Sequence, residues 1–247
     1  MKLFITISLS ILFLNLTAQD SYEGWNISKL NTAANASYMN KEEKAMVLEI
    51  NMVRSDPNKY IQYVEPYLKR AKEDYEKHGK GTKNYALSTS YETINGVEKI
   101  KTDTIWHNRY KEELKAIKSL IADLRLLGSL SILKPSEGIY KAAKKHGLDN
   151  DKHKWTLSHR GSDNSWPWDR ILKYAPKMVS GNENIAGKGP EDVTTREIVI
   201  QLLIDSGIPG YGHRTNIINP DWTHVACYYG GVKLEMHRWI QNFGKQE

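Results

Sequence analysis

The stretch Thr194 to Asp205 limits the possible folds more than any other. Ile198, Val199, Ile200, Leu202, Leu203 and Ile204 place apolar side chains almost all round one helix. Such a helix holds in water only when other elements enclose it. Thr194-Thr195-Arg196-Glu197 opens it as a capping box, and Ser206-Gly207-Ile208-Pro209-Gly210 ends it. The chain must therefore build layers around this segment. Two strands supply one layer, about Thr223–Gly230 and about Leu234–Phe243, both rich in Val, Tyr, Trp and Ile. Their short link calls for antiparallel pairing.

The helices of the other layers follow from periodicity. Asn40 is an N-cap with Glu43 in capping-box spacing, and Met46, Val47, Ile50 and Val53 form one face of the helix behind it. Asp56-Pro57 breaks that helix. A shorter helix, Asn58 to Leu68, gathers Tyr60, Ile61, Val64 and Leu68. Leu114, Ile117, Leu120, Ile121 and Leu124 stripe a helix over 110–127. Ile139, Ala142, Ala143 and His146 stripe another, ending near Asn150. Pro167 opens a short helix, Trp168 to Tyr174. Gly181 to Gly189 is a loop or short strand. Between the early helices, 85–104 reads as two strand-like runs around Asn95-Gly96, a hairpin turn signal. Residues 69–127 are accordingly expected as an insertion carried on the domain.

The termini and composition narrow the setting. Lys2 precedes an apolar run, Leu3 to Leu16, and Thr17-Ala18-Gln19 follows. This is the pattern of a signal peptide over 1–18, cut near Ala18 or Gln19, which implies a secreted, extracytoplasmic chain. Residues 19–39 are polar and aperiodic, and are expected as a flexible lead-in to one domain over 40–247. No internal stretch reaches the ~18 apolar residues of a membrane span. Removing 1–18 lowers the formal net charge from +6 to +5, too little and too interleaved for a nucleic-acid binder. Cys227 is the single cysteine, so no internal disulfide forms, and its apolar surroundings point to a buried, inert thiol.

Three blocks remain. They are Leu157-Ser158-His159-Arg160-Gly161-Ser162-Asp163, leading into Trp168-Asp169-Arg170-Ile171; Gly181-Asn182-Glu183-Asn184-Ile185-Ala186; and Tyr211-Gly212-His213-Arg214-Thr215-Asn216-Ile217-Ile218-Asn219-Pro220. In this order and spacing the chain resembles the CAP superfamily, also called the SCP or pathogenesis-related-1 family, and within it the bacterial, cysteine-poor type. The resemblance spans about 41–243. It implies an α+β fold, an α-β-α sandwich in which helices flank a small antiparallel sheet.

The resemblance also implies a cleft tetrad of His159, Glu183, Glu197 and His213. Two imidazoles and two carboxylates suit Zn²⁺ or another divalent ion, or a general acid and base. Their spacing carries no local metal motif, and each has a structural alternative. That alternative is strongest for Glu197, which already completes a capping box. The chain departs from the family in two places. The usual tryptophan position falls at Leu202 or Leu203, and the link to Gly212-His213-Arg214 is longer. Arg214 and Asn216 are expected to tie loop backbone together, His146 to pack in the core, and Asp169 and Arg170 to pair locally.

The functions implied are a binding module for a divalent metal or a small, lipid-like ligand, a metal-assisted hydrolase or peptidase, and an envelope interaction protein. No G-x-S-x-G, P-loop or dinucleotide fingerprint is present, which removes those readings. The tetrad lacks a nucleophile, so hydrolysis would need metal-activated water, and a binding role is favoured over an enzymatic one.

Overall fold

α7 (Thr195–Ile204) lies inside the molecule, as its composition demands, with Ile198 to Ile200 and Leu202 to Ile204 buried. A computed structural model describes residues 22–94, 97–153, 158–188, 193–231 and 237–247, with the backbone alone over 84–107. The apolar run at 3–16 and the Asn95-Gly96 turn lie outside the described residues.

Four strands form the main sheet, in the order β3 (Lys134–Pro135), β5 (His224–Gly230), β6 (His237–Gln246) and β4 (Met178–Lys188). β6 pairs antiparallel with both β5 and β4. Arg238 to Gly244 of this inner strand are buried without a break, as expected where both sheet faces are covered. α5 (Glu137–His153) and α6 (Pro167–Tyr174) cover one face. α2 (Lys41–Ser55), α7 and α8 (Gly212–Ile217) cover the other. The result is an α-β-α sandwich.

Three local readings change. The sheet is mixed, because the chain enters it beside β5 in parallel: Lys134 N donates to Thr223 O, and Ser136 N to Val225 O. The stretch 181–189, read as loop or short strand, falls up to Lys188 within an 11-residue strand, Met178–Lys188. Helix α3 (Pro57–Asp74) runs beyond Leu68 and continues as a π turn, Tyr75–Gly79. Its apolar face extends to the buried Ala71, while the neighbouring charges face water.

The expected insertion has two unlike halves. β1 (Asn84–Ile94) and β2 (Val97–His107) pair as a separate antiparallel hairpin. α4 (Arg109–Leu126) belongs to the body. Ala116, Ile117, Leu120, Ile121 and Leu124 are buried, and the helix packs on α3 and α7.

The expected flexible lead-in is packed over residues 22–39. α1 (Ile27–Leu30) and the turns after it bury Leu30, Ala33, Ala36 and Met39, and Trp25 stacks on Tyr63. The segment carries no periodicity because turns and one aromatic anchor hold it, not a long helix or strand. Asn51 on α2 fastens it. Its amide donates to Leu30 O (3.0 Å) and Leu133 O (3.2 Å), and its Oδ1 accepts from Leu133 N (2.7 Å). Cys227 is buried, and burial pushes its thiol well above the ordinary value.

Asn51→Ala would leave buried backbone groups on two segments unpaired. We expect it to cost roughly 2–4 kcal/mol in urea unfolding, at about 1–3 kcal/mol per orphaned group. A loss below roughly 0.5 kcal/mol, the size of an ordinary surface change, would show that the lead-in is held by other contacts.

Candidate functional site

Glu183 is the floor of the site. β4 brings it inward, and its side chain is fully buried. A buried carboxylate needs a charged partner. Arg170 of α6 supplies it, with Nη2 at 3.1 Å and 3.0 Å from the two carboxylate oxygens. Arg170 thus points inward, in place of the expected local pair with Asp169. Adjacent helix positions do not face each other, and Asp169 instead accepts from Trp166 N at 2.9 Å. Arg170 also donates to Ser165 O (2.8 Å) and His159 O (3.0 Å), which fixes the loop between α5 and α6.

That loop carries His159. Its Nδ1 lies 3.0 Å from Glu183 Oε1, and the ring is partly exposed. Behind it sits His146 of α5, wholly buried, with Nε2 donating to Ser158 O at 2.6 Å. Burial, with Arg170 adding to it and Glu183 opposing, holds the His146 pKa below the ordinary histidine value. His146 is therefore a neutral packing residue at the edge of the site.

His213 comes from the other side of the fold, on α8. Asp205 holds it with both oxygens: Oδ2 accepts from His213 N (2.9 Å), and Oδ1 lies 2.7 Å from Nδ1. Asp205 is the C-cap of α7, in the left-handed region at φ 53°. Asn184 of β4 donates to His213 O (3.1 Å) and accepts from Asn216 Nδ2 (2.7 Å). Arg214 donates to Leu203 O, Ile204 O and Ala116 O, so it ties backbone together as expected.

His159, Glu183 and His213 line one pocket of about 510 Å³, together with Trp166, Pro167, Asn182, Asn184, Ile208, Gly212 and Asn216. Glu197 does not line it. Its Oε2 accepts from Thr194 N (2.8 Å) and its own N–H donates to Thr194 Oγ1 (3.2 Å), so the capping box engages it. Among the described residues no group of three or more His, Cys, Asp or Glu side chains is placed to hold a metal ion.

Two residues escape the sequence reading, Asp205 and Arg170. Asp205 was legible only as the last residue before a glycine-rich link. A short polar side chain there tolerates the left-handed region, but nothing in the spacing points it at His213.

The CAP family, described as the cysteine-rich secretory protein family, matches residues 118–243, about half of the chain. The chain belongs to this family. Among solved structures it is similar to an outer surface protein of Borrelia burgdorferi, at 24% identity and a TM-score of 0.42, over 56% of this chain and 95% of that one. It is also similar to an extracellular SCP-domain protein of Bacillus anthracis, at 18% identity and a TM-score of 0.37. That match covers 60% of this chain and 47% of the other. No curated protein matches the chain.

His146 gives the stability a pH dependence with a definite sign. The unfolded residue takes up a proton near ~6.5, and the folded one only at lower pH. Its contribution is thus fully present above that value and is lost as pH falls towards the folded pKa. Urea unfolding at about pH 7.5 and about pH 5 should show a smaller pH-linked loss for His146→Gln than for the wild type. Equal losses in the two proteins would remove His146 as the source.

Proposed function

We propose that the protein is an extracytoplasmic binding module whose cleft takes a small ligand at His159 and His213. One observation carries this reading. Each imidazole meets a buried carboxylate through Nδ1, at 3.0 Å for His159 and 2.7 Å for His213. That leaves each Nε2 with no hydrogen-bond partner among the described residues, in a pocket of about 510 Å³. Oriented rings with an unused nitrogen in a pocket of this size are the parts of a recognition site. The extracytoplasmic placement rests on the secretory description of the family and on the apolar run Leu3 to Leu16.

A divalent cation is the second reading, favoured by the carboxylate behind each imidazole. The expected four-ligand set does not fit the geometry. Arg170 and His159 occupy Glu183, and the capping box occupies Glu197. Two Nε2 donors remain, fewer than the three or four protein ligands of an ordinary zinc site. For hydrolysis, the described residues of the pocket lining include no serine, threonine or cysteine, so water would have to attack.

Mass spectrometry of protein purified from its native envelope should find a small molecule on the wild type and lose it in His159→Ala and His213→Ala. Equal recovery from all three proteins would remove the cleft as the binding site. In calorimetric zinc titration, we expect weak binding that His213→Ala abolishes and Glu197→Ala leaves unchanged. Stoichiometric, tight zinc binding lost in Glu197→Ala would restore the four-ligand site. Glu197→Ala should also lower stability by about 1 kcal/mol, the size of a helix-cap loss.

A further inference from the structure

The unused hydrogen-bonding capacity of the cleft is selective. Glu183 is engaged by Arg170 and His159 through both oxygens, and Asn184 spends both N–H groups on His213 O and Gln241 and accepts from Asn216. Asn182 spends its carbonyl oxygen on Glu183 N (2.8 Å), and its NH₂ has no partner among the described residues. Asn216 spends its NH₂ on Asn184 Oδ1 (2.7 Å), and its carbonyl oxygen has none among them. The pocket therefore offers one amide donor, one amide acceptor and two imidazole nitrogens.

Charge and apolar surface narrow the ligand further. Among the described residues the lining holds no lysine or arginine. A phosphate or carboxylate would meet Glu183, and Asp205 behind His213, with no cation facing it. An alkyl chain needs an enclosed apolar slot, whereas the apolar side chains among the described lining residues are Trp166, Pro167 and Ile208, the first and last of them exposed. Trp166 is 55% exposed and Ile208 44%. Trp166, Pro167 and Ile208 together give the pocket an exposed apolar face on which a ligand can lie.

We propose, resting on the cleft reading above, that the ligand is an uncharged saccharide bearing an acetamido group. A sugar ring has an apolar C–H face to lie on Trp166. Its hydroxyls each donate and accept, which suits the two imidazole nitrogens. The acetamido C=O and N–H complement the Asn182 donor and the Asn216 acceptor.

The test is calorimetric titration with chitotriose and cellotriose, which share a β-1,4-linked ring backbone and differ in the acetamido groups. The wild type should bind chitotriose, and cellotriose roughly tenfold more weakly or worse, the equivalent of about 1.4 kcal/mol. Trp166→Ala, an exposed site whose truncation spares the core, should weaken chitotriose by a similar factor, as should Asn182→Ala. Absence of chitotriose binding, or equal affinity for the two sugars, overturns the proposal. Native-source mass spectrometry separates the two failures. A non-saccharide lost with His213→Ala sinks the sugar and leaves the cleft reading standing. Chitotriose binding untouched by both Trp166→Ala and His213→Ala places the sugar outside the cleft and sinks the saccharide proposal.

Discussion

The cleft depends on one buried negative charge. Moving a carboxylate out of water costs several kcal/mol even after relaxation, and Glu183 has no exposed surface over which to recover it. Arg170 offsets that cost from α6, and the same guanidinium holds the backbone at Ser165 and His159. Fold and site are thereby one object. α6 is fixed to β4 by the ion pair, and the loop that carries His159 is fixed to α6 by the same side chain. Truncating either partner would strand the other charge in the interior.

The opposite rim is built by the same means with different groups. Arg214 gathers Leu203 O and Ile204 O at the end of α7 together with Ala116 O of α4. Carbonyls at a helix C-terminus have no partner within the helix, so this arginine satisfies them and anchors α8 with one side chain. A third buried arginine, Arg196, meets Glu49 at 2.8 Å and lies 4.0 Å from the Tyr63 ring centre. It links α7 to α2 and to the aromatic cluster that receives Trp25. Buried arginines thus supply several of the long-range ties of this single-cysteine chain.

Much of this is legible in the sequence, for physical reasons that differ by region. The capping boxes at Asn40 and Thr194 are local, and both form as the residues dictate. The stripe of α4 is plain, but its partners are not. An amphipathic face says that something covers it, not that α3 and α7 do. β4 reads short because Gly181, Asn182, Glu183 and Asn184 lack strand propensity, and its pairing with β6 supplies what propensity does not. The pocket residues His159, Glu183 and His213 come from a resemblance of ordered blocks. Arg170–Glu183 and Asp205–His213 stay invisible because each joins segments whose approach only the tertiary fold decides.

The placement of Asp205 has a consequence for how this chain can change length. Its carboxylate reaches His213 from the last turn of α7, where one residue more or less turns the helix end by about 100°. An insertion or deletion within 195–204 would swing that carboxylate off the imidazole and turn buried apolar positions outward together. The link at 206–211, mostly exposed and containing Gly207 and Gly210 at positive φ, is free of that coupling. A change in spacing between the buried helix and the histidine is therefore borne best by this link.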